Sequence, residues 1–133
     1  MKKVLLFIIF FFILSGSCKN DHNFISSSSL LGEWSWVSSC GGIAGKCYTP
    51  TPGRKARIGF TADSMYYVYR NDTFNTSSRF HTQTYLFNKY PTNVITYDFP
   101  PFQQTYLIRN DTLFLNDPCC DLYAHTYTRI KTN

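Results

Sequence analysis

The side chains of this chain that could ligate a metal, act as nucleophiles or form cross-links are five Cys and three His, set among eight carboxylates. A metal site needs several of them to converge on one ion. His22, His81 and His125 are dispersed, and no His-x-x-x-His or paired Glu occurs, so no metal site and no cofactor are expected. Cys40 and Cys47 are separated by six residues while Cys119 and Cys120 are adjacent, which matches none of the usual zinc spacings. In an oxidising compartment these four read as two disulfides. No Ser or Cys stands in a nucleophile elbow or beside an evident base, so the expectation is a chain that is not an enzyme. Residues 41–46, Gly-Gly-Ile-Ala-Gly-Lys, invite a phosphate-loop reading that fails. Three residues rather than four separate Gly41 from Gly45, Cys47 stands where Ser or Thr should hold magnesium, and Thr49-Pro50-Thr51-Pro52 follows where a helix must begin.

Cys18 stands apart from the other four. Ahead of it come Lys2 and Lys3, an uninterrupted apolar run over residues 4–14, and the small residues Ser15-Gly16-Ser17, the layout of a targeting segment. The run falls well short of the ~20 apolar residues a membrane-spanning helix needs. Leu14-Ser15-Gly16-Ser17-Cys18 resembles the lipobox of bacterial lipoproteins, although Ser15 stands where Leu is commonest. The resemblance implies that residues 1–17 are a cleaved signal peptide and that the Cys18 thiol carries diacylglycerol, which attaches the protein to a membrane. Residues 18–29 then form the anchor and a polar tether, because Lys19-Asn20-Asp21-His22-Asn23 and the run Ser26-Ser27-Ser28-Ser29 offer little to bury. Lys19-Asn20-Asp21 resembles the tract that exports some lipoproteins to the outer face of the outer membrane; a plain spacer is an equal reading. The expected location is the envelope of a Gram-negative bacterium, at the outer membrane, with the face left open.

The chain carries 13 Lys and Arg against 8 Asp and Glu. Two of the basic residues lie in the leader and the rest are scattered singly, so neither a nucleic-acid-binding stripe nor a polybasic membrane patch is present.

Residues 30–133 suffice for one domain with one core. Residues 30–39 alternate Trp34, Trp36 and Ser38 on one face with Glu33, Ser35 and Val37 on the other, the period of a half-buried strand. Residues 40–53, with four glycines and two prolines, are expected to form a long irregular loop. Further strands are expected at 54–61, 64–70, 79–88, 93–99, 103–109, 112–116 and 122–131, with 74–77 as a short extra. The turns Arg70-Asn71-Asp72-Thr73 and Arg109-Asn110-Asp111-Thr112 have Asn and Asp where two-residue hairpins demand left-handed backbone. Asp63-Ser64-Met65 and Asp111-Thr112-Leu113 also resemble bacterial O-glycosylation sites, with turn geometry as the alternative. Eight antiparallel strands in one short domain close into a barrel or stack as a sandwich.

Gly32-Glu33-Trp34 in the first strand and Tyr127-Thr128-Arg129-Ile130 in the last resemble the lipocalin family, which opens on Gly-x-Trp and closes with an Arg packed across that Trp. Across its length the domain is similar to the short, lipid-anchored lipocalin-like proteins of Gram-negative bacteria. The resemblance implies an eight-stranded, or nine-stranded, antiparallel up-and-down barrel in which Gly32, Trp34 and Arg129 close one end. Classical lipocalins are longer and carry a helix after the barrel. With Trp34 near Arg129, antiparallel register puts Cys40 opposite about residue 123. Both disulfides are then predicted to cross from the first loop to the adjacent pair, with Cys40 to Cys120 and Cys47 to Cys119 preferred. Trp36, Phe60 and Tyr106, on inward or apolar faces of their strands, are candidate walls of a pocket for a small apolar or amphipathic ligand. An alternative is a filled barrel that recognises a partner through its loops; a weaker third is an inhibitor presenting the loop at residues 40–53.

Overall fold

The computed structural model describes residues 30–118 and 122–131. Nine strands follow in order: β1 (Gly32–Gly41), β2 (Lys46–Tyr48), β3 (Ala56–Phe60), β4 (Met65–Arg70), β5 (Thr73–Phe87), β6 (Tyr90–Tyr97), β7 (Phe102–Arg109), β8 (Thr112–Asn116) and β9 (Tyr123–Arg129). Every pairing is antiparallel. The sheet runs β1-β3-β4-β5-β6-β7-β8-β9 and closes β9 onto β1, with β2 hanging from the far end of β1. This is a closed eight-stranded up-and-down barrel plus one extra strand, and closure leaves the barrel without free edges.

The turns are where Asn and Asp require them. Asn71 and Asp72 both have positive φ between the paired Arg70 and Thr73, and Asn110 has positive φ between the paired Arg109 and Thr112. Asn71 Oδ1 also accepts the Lys55 amide at 2.8 Å, tying the mouth of β4 to that of β3.

Three expectations are corrected. Residues 74–77 are not a separate strand but the start of the 15-residue β5, because a register shift between Val68 and Tyr69 absorbs the break in alternation. Regular structure does occur in the loop after β1, where Lys46–Tyr48 folds back onto Ser39–Gly41. The face alternation of β1 also fails after Trp36. A bulge between Trp36 and Ser38 adds one residue, so Ser39, opposite His125, points inward in place of Ser38.

One end of the barrel is filled. Leu30, Trp34, Phe60, Ile95, Leu113 and Leu115 are essentially inaccessible there, with Phe80, Tyr97 and Tyr106 packed beside them. The other end, bordered by Gly53, Arg54 and Lys55 and by the β4–β5 turn at Arg70 and Asn71, is open.

Candidate functional site

The closed end is built around Trp34, which is fully buried. Trp34 and Arg129 are register partners, the Arg129 guanidinium lies 4.0 Å from the indole centre, and its Nη1 donates to the Leu31 carbonyl at 2.8 Å. Trp34 Nε1 donates to the Leu30 carbonyl at 2.9 Å. Gly32 has φ +120, and a Cβ there would stand 3.1 Å from Arg129 Nη1. A side chain would therefore strain the backbone and crowd the guanidinium. Gly32, Trp34 and Arg129 form one corner.

Above this floor the strands splay around a cavity of about 490 Å³ that opens at the other end. Its apolar wall is Trp36, Ile58, Val68, Phe102, Leu115 and Tyr127. Arg54, Lys55 and Arg70 stand in its lining near the mouth, and among the described residues no carboxylate pairs with any of the three. The pocket is thus apolar below and cationic above.

A chain of hydrogen bonds crosses the wall between these zones. Trp36 Nε1 donates to Ser39 Oγ at 2.8 Å, and Ser39 Oγ lies 2.7 Å from His125 Nδ1. His125 Nε2 is 3.4 Å from Asp117 Oδ2, whose other oxygen accepts from Gln104 Nε2 at 2.8 Å. Gln104 Oε1 accepts from the Tyr97 hydroxyl at 3.1 Å. A carboxylate facing Nε2 favours the proton on that nitrogen, which leaves Nδ1 to accept from the Ser39 hydroxyl.

Three phenols border this chain. The Tyr66 and Tyr97 rings are 4.7 Å apart, and Tyr97 stacks on Phe102 at 4.2 Å. Burial is the main reason that the Tyr127 hydroxyl is pushed up to about 12, with Asp117 adding to it and Arg70 opposing it. Burial likewise raises Tyr66, helped by Tyr127 and opposed by Arg70, and holds Tyr97 well above the ordinary phenol value. A phenol this reluctant to ionise stays a neutral donor and acceptor at any physiological pH.

Among the three candidate pocket residues, Trp36 lines the cavity. Phe60 and Tyr106 do not; they are 1% and 7% exposed within the packed floor. Cys40 pairs with Ala124, one residue from the expected register, and the difference is the bulge. The expected cross-disulfides are nonetheless overturned: Cys40 is joined to Cys47, its direct partner across the β1–β2 hairpin. The β1–β2 hairpin sets Cys47 directly across from Cys40. Cys119 and Cys120 lie outside the described residues, as does Cys18. His81 is exposed and pairs with Asp98 at 3.3 Å. Among the described residues no three His, Cys, Asp or Glu side chains are grouped to hold a metal.

Sequence reasoning missed Ser39, Asp117 and His125. The available signal was the alternation Tyr123, His125, Tyr127, Arg129 on β9: once Arg129 is placed inside, His125 must be inside as well. Comparison with known proteins found no matching family model, no matching curated protein and no matching solved structure.

Proposed function

We propose that this protein binds a small amphipathic molecule with an anionic group in the open half of its barrel. The observation that carries the reading is the half-filled interior. A cavity of about 490 Å³ falls within the range that takes small ligands, and its walls grade from apolar at the floor to cationic at the mouth. A hydrocarbon portion would lie against Trp36, Val68 and Leu115, while a carboxylate, phosphate or sulfate would meet Arg54, Lys55 and Arg70.

The lipobox-like Leu14-Ser15-Gly16-Ser17-Cys18 supports reading the protein also as an envelope lipoprotein of a Gram-negative bacterium, anchored at the outer membrane through Cys18. Cys18→Ala should release the protein from membranes or leave it uncleaved. Detergent partitioning that does not change would remove the anchor from the proposal.

The binding test is a titration of the full-length protein with a fluorescent fatty acid, followed by Arg70→Glu. Arg70→Glu should weaken the fatty acid by about tenfold or more, because it replaces an attractive charge with a repulsive one, and should spare a neutral apolar probe. A parent protein that binds neither probe rejects the ligand-binding reading. The second reading, an interaction protein, is favoured by a different feature: Tyr85, Leu86, Phe87 and Tyr90 are all at least half exposed on the β5–β6 hairpin, an apolar strip of the kind that marks docking surfaces.

A further inference from the structure

We propose that the cavity also hydrolyses esters, with Ser39 as nucleophile, His125 as general base and acid, and Asp117 as the residue that positions His125. The inference rests on the ligand-binding reading for its substrate class and on the interior hydrogen-bond chain for its chemistry.

A serine nucleophile needs a base within hydrogen-bond reach, a third group orienting that base, and a cavity beside both. All three are present. Ser39 Oγ and His125 Nδ1 are 2.7 Å apart, His125 Nε2 and Asp117 Oδ2 are 3.4 Å apart, and both Ser39 and His125 line the cavity. Asp117 is itself held by Gln104, and Gln104 by Tyr97. The imidazole is turned so that Nδ1, rather than Nε2, faces the serine. Either nitrogen can take the proton, provided the other is protonated and faces the carboxylate. Trp36 Nε1 donates to Ser39 Oγ at 2.8 Å, which stabilises negative charge on that oxygen.

The reaction balances without a cofactor. Ser39 Oγ bonds to the ester carbonyl carbon as its proton passes to His125 Nδ1. The imidazolium, facing Asp117, returns that proton to the departing alkoxide oxygen as the carbon–oxygen bond breaks, leaving alcohol and acyl-Ser39. Water then attacks the acyl carbon, again giving a proton to Nδ1. That proton is returned to Ser39 Oγ, and a carboxylic acid is released. The substrates that fit are esters with an apolar chain against Trp36 and Leu115 and an anionic group toward Arg54, Lys55 and Arg70.

The test treats the full-length protein with an alkyl fluorophosphonate and maps the adduct by peptide mass spectrometry. One adduct, on Ser39, is expected, absent from Ser39→Ala and formed about 100-fold more slowly in His125→Gln. Hydrolysis of p-nitrophenyl butyrate should follow the same order. Asp117→Asn keeps the shape of the side chain but no longer favours the Nε2 proton, so it should slow labelling and shift its pH dependence. Binding of the fatty-acid probe with no adduct on Ser39 overturns the catalytic proposal and leaves the ligand reading standing. Adduct formation without probe binding does the reverse. Equal labelling of parent and Asp117→Asn at every pH removes Asp117 from the mechanism.

Discussion

Replacing Arg129 by Lys tests whether the closed end depends on a flat guanidinium or only on a positive charge. The guanidinium sits 4.0 Å from the centre of the buried Trp34 ring, and Nη1 bonds the Leu31 carbonyl at 2.8 Å. Lys keeps the charge but has no planar face to stack, which weakens a cation-π attraction of roughly 0.5 to 2 kcal/mol. Its ammonium cannot lie over the ring and reach Leu31 together, so part of a charge-assisted hydrogen bond, worth about 1.5 to 3 kcal/mol when complete, is lost as well. The Asp111 contact, at 3.8 Å on a half-exposed carboxylate, adds little. A net loss of about 2 kcal/mol is expected, which in a domain of this size lowers the melting temperature by about 8 to 16 °C. Thermal unfolding followed by circular dichroism measures it, with Trp34→Phe and the double variant completing a mutant cycle. Gly32→Ala should harm the same corner through φ +120 and the 3.1 Å approach to Nη1. If Arg129→Lys melts within about 1 °C of the parent, the stacking argument is refuted.

Other outcomes follow from the interior. Tyr66, Tyr97 and Tyr127 have raised phenol values in the fold, so their contribution is complete below the unfolded value near 10 and is lost as pH rises through the folded values, about 12 for Tyr127. Urea midpoints should be flat through neutral pH and fall above about pH 10; a Tyr127→Phe variant with the same alkaline slope would show that Tyr127 does not contribute. Tyr106→Ala, in the packed floor at 7% exposure, should cost about 3 to 5 kcal/mol, and a loss under about 1 kcal/mol would mean the floor is not packed there. Non-reducing peptide mapping should recover Cys40 joined to Cys47, and opening this short loop by a double Ser replacement should cost roughly 2 to 3 kcal/mol. Recovery of Cys40 joined to the peptide holding Cys119 and Cys120 would contradict the hairpin.

What the sequence determined by itself was local or periodic. Alternation of Trp34 and Trp36 marks a half-buried strand, and Asn71-Asp72 and Asn110-Asp111 mark hairpins through their tolerance of left-handed backbone. Tertiary structure decided the rest, because one inserted residue inverts every side chain beyond it. The bulge after Trp36 turns Ser39 rather than Ser38 inward, and no pattern in residues 30–39 announces it. Ser39 and His125 are 86 positions apart and meet only because β9 closes onto β1. Cys40 was near β9 as the register required, yet it bonds Cys47, because a three-residue strand formed where Gly and Pro argued for irregular chain. Phe60 and Tyr106 read as inward and apolar, which they are. Alternation tells which face a residue takes, but only the packing along the barrel axis decides whether that face meets a filled floor or an open cavity.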